Sequence, residues 1–347
     1  MGIDYENVWV ANYSNAYKTD NTDSLTLFYE TLRNTVKSLP YVKEISFTSE
    51  NVPFSNSTNG DGLVYKNTRE QVDVFSVEDS YLNVLNLKLL EGRWFNRQDA
   101  VSKEIPVIIN ETLRQRLFGK DHAIGKAVSF DHDEKRKVMV IGVVEDEKVK
   151  GDYVKVDPAT FVRLDTGSFH WLGNILIKVS ADADAAFEGR LYKTLANAMK
   201  NSDVEIEHLH NKRESKNYFA LVPMIVLLTV SGFLIVNVAM GIFGVLWYNI
   251  NKRRGEIGLR RAIGASGKSV SVQLVSESMI LATLSLIIGT FFAVQFPLLN
   301  VFDLPANIYL TAIVFSVLFI YLLVLLCSLY PGKQASSIYP AAALHEE

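Results

Sequence analysis

The chain has 347 residues, one cysteine and a formal net charge of −3, with 35 Lys and Arg against 38 Asp and Glu. The lone Cys327 excludes a disulfide framework or a cysteine-rich metal site, and near-neutrality offers no electrostatic case for nucleic acid as the main partner. Residues 217–347 hold only seven of the basic and five of the acidic side chains. This uneven distribution predicts two domains, 1–216 and 217–347.

The first of these domains alternates strand-like and helix-like segments, which predicts an α+β fold. Helical spacing of apolar residues predicts helices over 23–39 and 181–199, and a short helix over 111–118 that ends at Gly119. Runs of β-branched residues predict strands at 8–11, 42–47, 72–77, 106–109, 138–144, 174–179 and 204–206.

No motif in residues 1–216 points to catalysis. His208 and His210 fall on one face of a strand, but no third metal ligand is evident, so a polar linker is the favoured interpretation. The acidic segment 131–134 has metal-ligand residue types too, yet it separates two β-branched runs as a charged hairpin turn would. The sequence lacks a Gly-x-Ser-x-Gly elbow. We therefore expect no catalytic residue, cofactor or metal.

Three long stretches without charge predict three transmembrane helices. A helix of roughly 20 apolar residues crosses a bilayer core of about 30 Å. The uncharged stretches are residues 217–251, 278–302 and 304–332. We place the corresponding spans near 220–248, 272–298 and 306–330, so that residues 217–347 form an all-α membrane domain.

The loop between the first two spans, residues 250–270, decides the orientation. Its only acidic residue is Glu256, and its cations are Lys252, Arg253, Arg254, Arg260, Arg261 and Lys268. Short loops rich in Lys and Arg stay in the cytoplasm. We therefore expect a multi-pass membrane protein with residues 1–216 extracytoplasmic. The inverted topology would place six cations outside.

The N-terminal segment does not explain how such a domain is exported. Residues 1–7 have neither the basic region nor the apolar region of a signal peptide. We therefore expect a further transmembrane helix ahead of Met1.

Residues 264–269, Gly-Ala-Ser-Gly-Lys-Ser, end like a nucleotide-binding loop. That motif requires a glycine five residues before the Gly-Lys pair and a strand before the loop. The required position is occupied by Ala262, and the segment lies between two predicted membrane helices. We therefore expect no ATPase motif in this chain.

The wider loop resembles the cytoplasmic loop of the MacB/FtsX family of ABC-transporter permeases. The family pattern is approximately R-x-x-E-I-G-x-x-R-A-x-G-A, followed by a glutamate in the next membrane helix. The matching residues here are Arg253, Glu256, Ile257, Gly258, Arg261, Ala262, Gly264, Ala265 and Glu277. The run 331–344 is similar to the family's C-terminal pattern, although His345 replaces the usual basic residue.

Residues 1–216 are similar to the periplasmic core domain of the same family. The matching segments occur in the family's order, at 90–95, 107–112, 117–119, 124–126 and 141–144. The resemblance therefore covers nearly the whole chain. The family has four membrane helices, with the ectodomain between the first and the second, so the resemblance also implies a helix ahead of Met1.

The resemblance implies a permease subunit of the bacterial inner (plasma) membrane, itself not an enzyme. It would belong to a type VII ABC transporter that works by mechanotransmission. Such a subunit exports peptides, drugs or lipoproteins by using ATP hydrolysis in a separate cytoplasmic ATPase. It acts as a homodimer or as a heterodimer with a second permease, and efflux systems add a periplasmic adaptor and an outer-membrane channel. The alternative is a signal relay that controls a cell-wall hydrolase or a sensor without transport. A membrane-anchored enzyme is disfavoured because no catalytic constellation is present.

The same resemblance assigns the coupling role to the loop. We expect a short helix over 256–263, parallel to the membrane surface. It would present Ile257 together with Leu259 or Ile263 to a groove on the ATPase. The alternative is that these apolar residues only rest on the membrane.

Other residues of the loop are expected to shape it and to pair. Gly258 and Gly264 would allow close approach and a sharp turn. Arg260 and Arg261 would pair with acidic groups of the ATPase or with phosphates of membrane lipid. Glu277 lies about two turns into its helix, where a carboxylate is costly unless paired. We expect it to form a structural pair rather than a proton or substrate site.

Overall fold

The computed structural model describes residues 1–14, 21–49, 51–56, 58–102, 104–131, 133–164, 172–199, 202–299 and 305–337. The chain divides into two compact units, Met1–Pro223 and Met224–Glu347. The first unit is α+β and the second is helical, which confirms the predicted fold class. The division between the units falls after Pro223, inside a helix that begins in the first unit.

The strands of the first unit include every strand predicted from β-branched runs. They are β1 (Val8–Tyr13), β2 (Val42–Thr48), β3 (Gly60–Tyr65), β4 (Thr68–Val77), β5 (Leu89–Gly92), β6 (Ile105–Asn110), β7 (Ala127–Phe130), β8 (Asp133–Val144), β9 (Ala159–Arg163), β10 (Asn174–Val179) and β11 (Val204–His208). Strands β3, β5 and β9 were not predicted, whereas β7 pairs antiparallel with β8 as the first arm of the predicted hairpin.

The helices of the first unit are α1 (Thr22–Lys37), α2 (Tyr81–Leu85), α3 (Glu111–Phe118) and α4 (Ala185–Ala198). Helix α3 has the predicted bounds because Asn110 caps its start, accepting a hydrogen bond from the Leu113 amide at 3.0 Å. Helix α4 begins four residues later than predicted. Asp184 caps it by accepting from the Phe187 amide at 2.8 Å, so the residues before Asp184 lie outside the helix.

The strands form two lobes. In the first lobe the antiparallel order is β11-β1-β10-β2, and α1 and α4 cover one face of this sheet over a core that includes Leu32, Phe47 and Phe187. In the second lobe β4, β3, β7, β8, β6 and β9 follow one another, and β9 pairs with β4 to close a six-stranded ring. The pair Thr48–Val77 joins β2 to β4, so the two lobes share one continuous sheet.

The following helices are α5 (Leu209–Lys252), α6 (Arg254–Ala262), α7 (Gly267–Ala293), α8 (Gln295–Leu298) and α9 (Ala306–Ser336). Within the described residues, α5, the α7–α8 segment and α9 are long and apolar enough to cross a membrane. The three predicted membrane helices are therefore confirmed. Helix α5 starts 11 residues before its predicted span, because the polar residues ahead of the uncharged stretch are helical as well.

Candidate functional site

Helix α6 forms most of the loop between α5 and α7. It starts two residues before the predicted helix and is followed by Gly264, whose φ of +108° is a conformation that residues with a side chain rarely adopt. Ser266 then caps α7 by accepting a hydrogen bond from the Ser269 amide at 3.1 Å. The loop is therefore a short helix bounded by defined turns.

The inner face of α6 carries Ile257, which is only 6% exposed. Its side chain belongs to a small apolar cluster with Ile250, Val270, Leu274 and Ala335. Gly258, the next residue, is buried too. Ile257 is therefore packed within the chain itself, and its presentation to a partner stays a prediction. In an amphipathic helix one face packs against its neighbours, and here those neighbours are the ends of α5, α7 and α9.

The outer face of α6 carries the other two apolar candidates. Leu259 is 51% exposed and Ile263 is 78% exposed. They are four residues apart, so they lie next to each other on one side of the helix. Together they form an exposed apolar pair that a partner could cover.

A network of charged groups fixes the orientation of this helix. Glu256 accepts hydrogen bonds from Arg253 Nε at 3.0 Å and from Arg260 Nη2 at 2.6 Å. Arg260 also donates to Gln273 of α7 at 2.9 Å. The hydrogen bond from Arg253 holds the pKa of the Glu256 carboxyl below its usual value, so this residue stays negative. Arg260 thus contacts Glu256 and Gln273 of its own chain, and its pairing with the ATPase or with lipid stays a prediction.

Two further contacts tie the loop to the membrane helices. Arg261 donates a hydrogen bond from Nη1 to the backbone carbonyl of Ser336 in α9. Glu277 of α7 accepts from Gln273 Nε2 at 3.0 Å and from Arg253 Nη1 at 3.4 Å. The structure therefore brings together most of the residues singled out in the loop, and it pairs Glu277 with an arginine.

A second group of polar contacts lies in the first unit, where α5 begins. Asp152 accepts hydrogen bonds from Arg213 Nε at 3.1 Å, from Arg213 Nη2, and from Asn217 Nδ2 at 2.8 Å. The side-chain oxygen Oδ1 of Asn217 accepts a hydrogen bond from the backbone amide of Asp152 at 2.9 Å. The Arg213 guanidinium also lies over the Tyr5 ring, 4.5 Å from its centroid. We call these contacts of Asp152, Arg213 and Asn217 the α5 clamp.

The α5 clamp was missed from the sequence. Asp152 belongs to a polar loop, Arg213 follows the histidine segment that was interpreted as a polar linker, and Asn217 was assigned to the first uncharged stretch. Nothing in the spacing of these residues relates the two segments. The one available signal was the i, i+4 separation of Arg213 and Asn217, which places both on one face once the segment is helical.

The two histidines considered for metal binding each contact a carboxylate. His208 Nε2 lies 3.0 Å from Glu188, and its ring stacks on Trp9 with the centroids 4.7 Å apart. His210 Nδ1 lies 3.2 Å from Glu6. No group of three or more potential metal-ligating side chains is found in the part of the chain that the structure describes.

An α+β unit ahead of three membrane helices, with the cationic loop between the first two, defines a multi-pass membrane protein with an extracytoplasmic domain. Two family models match this chain: the MacB-like periplasmic core domain over residues 3–191 and the FtsX-like permease C-terminal domain over residues 228–340. The chain belongs to the MacB/FtsX family of ABC-transporter permeases, which confirms the resemblance and the placement in the inner (plasma) membrane.

Individual relatives agree with this assignment. The macrolide export ATP-binding/permease protein MacB of Neisseria gonorrhoeae is 24% identical over 329 residues, which cover 90% of this chain and 49% of the relative. The uncharacterized ABC transporter permease YvrN of Bacillus subtilis is 23% identical over 335 residues, covering 90% of this chain and 78% of that protein. The chain thus spans about half the length of the MacB relatives that it matches.

Solved structures are also similar to the first unit. The periplasmic region of MacB from Actinobacillus actinomycetemcomitans is 20% identical, with a TM-score of 0.44, and the match covers 62% of this chain and 94% of that one. The extracellular domain of the ABC-type transporter YknZ from Gram-positive bacteria is 17% identical, with a TM-score of 0.41, and the match covers 57% of this chain and all of that one.

Proposed function

We propose that this permease couples ATP hydrolysis by a cytoplasmic ABC ATPase to movement of its extracytoplasmic domain. The observation that carries the proposal is the two-faced arrangement of α6. Leu259 and Ile263 are exposed, while Ile257 is buried against the ends of the membrane helices. A force applied to the exposed pair therefore reaches the spans through a packed and hydrogen-bonded contact rather than through a flexible loop.

Transmission across the membrane would use α5. This helix has 44 residues and spans about 66 Å at 1.5 Å per residue. Its outer end is attached to the loop after β8 by the α5 clamp, through Asp152. Motion of α5 along or about its axis would therefore displace that loop. This fits mechanical work on an extracytoplasmic domain without passage of cargo through the bilayer core.

We also propose that hydrolysis takes place in a separate ATPase. Ala262 occupies the position at which a nucleotide-binding loop needs glycine, and helix α6 rather than a strand precedes the segment. The name of the Bacillus subtilis relative mentions a permease alone, which fits such a division of labour.

The cargo class that we propose is peptides, drugs or lipoproteins, exported by a homodimer or by a heterodimer with a second permease. Macrolide export appears in the names of the MacB relatives. ATP-dependent release of a labelled cargo from vesicles that contain the permease and its ATPase would support export. A complex that hydrolyses ATP without moving any tested cargo, while activating an extracytoplasmic hydrolase, would favour the signal relay instead.

The coupling proposal is tested with the exposed pair. The double variant Leu259→Asp, Ile263→Asp should insert and fold normally but lose at least about tenfold of its stimulation of the ATPase, because a charge in a desolvated contact is costly. Val101→Asp, at an 87% exposed apolar position in the first unit, is the matched control and should stimulate fully. Full stimulation by the double variant would contradict the assignment of α6.

A further inference from the structure

A pocket of about 380 Å³ lies in the first unit beside the first turns of α5. Strand β11, Glu188 of α4 and the segment around Phe54 form its other walls. The residues that α5 contributes are Asn211, Lys212, Ser215, Lys216 and Phe219. Their spacing puts them on a single face of the helix over about two turns. The pocket is therefore a groove along the last part of α5 before the membrane.

Most charged groups of this pocket already have partners. Lys212 forms an ion pair with Glu207, which also accepts a hydrogen bond from Asn12 at 2.7 Å. Glu188 lies 3.0 Å from His208.

Lys216 differs from these groups. Its ammonium makes no ion pair or hydrogen bond with any residue that the structure describes, and Lys150 and Lys212 are close enough to repel it. Lys150 is itself held by Asp73 at 2.8 Å and Asp157 at 2.7 Å. A partly buried ammonium among cations is stabilised by an anion, and no carboxylate of the described residues lies within ion-pair distance of Lys216.

Two neutral donors lie on the same helix face as this cation. The side chains of Asn211 and Ser215 are exposed and likewise form no hydrogen bond with any described residue. An amide, a hydroxyl and an ammonium that converge on one groove are donors suited to the oxygens of a phosphate. Phe54 and Phe219 add apolar walls to the same groove.

The position of the groove relative to the membrane indicates where the phosphate comes from. Asn217, the residue after Lys216, begins a run of 35 residues without charge. Tyr218 and Phe219, both exposed, follow at the level where aromatic residues mark a membrane surface. Lysines at the end of a span extend toward lipid headgroups. The groove is therefore at the height of the phosphates of the extracytoplasmic leaflet.

We propose that this groove binds the phosphate of a membrane phospholipid, with Lys216 as the charged contact and Asn211 and Ser215 as hydrogen-bond donors. The acyl chains would follow α5 past Phe219 into the bilayer. Because Lys216 precedes Asn217 of the α5 clamp, a bound lipid would join the leaflet to the helix turn that the clamp holds.

The test compares two lipids with identical acyl chains, phosphatidylglycerol and a phosphate-free glucosyl diacylglycerol. The full chain is purified, depleted of lipid and titrated with each lipid, and bound lipid is counted by native mass spectrometry. We expect a preference for phosphatidylglycerol that falls about fivefold in Lys216→Gln, since one cation near a charged leaflet contributes roughly that factor. Lys216→Arg should retain the preference. Lys193→Gln, at an exposed lysine of α4 outside the groove, is the control.

Two results would overturn the proposal. One is an equal preference for phosphatidylglycerol in the Lys216→Gln and Lys193→Gln variants. The other is saturation of Lys216 by millimolar inorganic phosphate, detected in the Lys side-chain NMR signal, under conditions in which phosphatidylglycerol leaves that signal unchanged. This second result would identify the source as soluble phosphate. A circular dichroism spectrum that matches the wild type establishes that each variant is folded.

Discussion

Asp152 and Arg213, separated by 61 positions in the sequence, are joined by two hydrogen bonds between the carboxylate and the guanidinium. Both side chains are about three-quarters buried. The pair connects the loop after β8 to the part of α5 that precedes the membrane. The helix therefore enters the bilayer from a fixed point on the extracytoplasmic domain, as transmission of movement between them would require.

Removing this pair should loosen the start of α5. A hydrogen bond to a charged group contributes about 1.5–3 kcal/mol, and partial exposure lowers this toward 1–2 kcal/mol. We expect Asp152→Ala and Arg213→Ala each to lower the opening free energy of the amides of residues 209–217 by about that amount, measured by hydrogen exchange. The double variant should cost little more than either single one. Strictly additive effects would show that the two residues act independently.

The same contact should depend on pH. Burial alone would raise the pKa of Asp152, but the hydrogen bonds from Arg213 and Asn217 outweigh it and lower the pKa below its ordinary value of about 4. The contact therefore stabilises the fold above that ordinary value and is lost as the pH falls through the lower folded-state pKa. Protection of residues 209–217, corrected for intrinsic exchange, should be constant from about pH 7 to 5 and should decrease below pH 4. Asp152→Asn should abolish the decrease.

Elements with a local signal were predictable, and contacts between distant elements were not. Helix α3 was predicted at its observed bounds, with Gly119 marking its end in the sequence, and in the structure Asn110 caps its start. Strand β5 has only four residues, and β3 contains Gly60 and Gly62, so neither produces a run of β-branched residues. These strands form because strands of the six-stranded ring pair with them. The sequence of one strand does not show which other strand will lie beside it.

Helix α6 shows the same limit at the level of single residues. Its position and amphipathic character followed from the sequence. The sequence also singled out Ile257, Leu259 and Ile263 as candidates for contact with a partner. Which of them faces inward depends on where Val270 and Ala335 lie in the folded chain. Ala335 is 78 positions away from Ile257 and belongs to the last helix. No local pattern contains that information.

Because Ile257 is buried and Leu259 is exposed, alanine variants at these two positions of α6 should differ in stability. Ile257→Ala removes side-chain atoms that pack against Ile250 and Leu274, and such truncations cost about 2–4 kcal/mol in a well-packed site. Leu259 lies on the exposed face of the helix, four residues before Ile263. Leu259→Ala should therefore lower the stability by less than about 0.5 kcal/mol. Thermal unfolding of the two variants in the same detergent measures the difference. Equal melting temperatures would contradict the packing described for Ile257.

Because Glu277 is paired with Arg253, its replacement should change thermal stability and leave the pH profile of ATPase stimulation unchanged. Glu277→Gln keeps a hydrogen-bonding side chain beside Gln273 but removes the charge that Arg253 contacts. We expect a modest loss of thermal stability and an unchanged pH profile of ATPase stimulation. Glu256→Gln, which removes the other carboxylate partner of Arg253, serves as the comparison. A shift of the pH profile in the Glu277 variant alone would instead indicate a proton-transferring role.

Two glycines of α7 should differ sharply in their tolerance of a methyl group. A Cβ on Gly267 would lie 2.8 Å from the backbone carbonyl oxygen of Ser336, the same oxygen that accepts the hydrogen bond from Arg261. A Cβ on Gly289 would meet no atom within 4 Å. Close approach of helices in membranes depends on such small residues.

Gly267→Ala should therefore push α9 away from the start of α7 and weaken the Arg261 contact. We expect a loss of about 1–3 kcal/mol of stability and reduced stimulation of the ATPase. Gly289→Ala should preserve both, since added helix propensity at an open position costs nothing. Thermal unfolding and ATPase assays on the two variants side by side provide the measurement. If Gly267→Ala stimulates the ATPase like the wild type, the contact between α6 and the end of α9 is not needed for coupling.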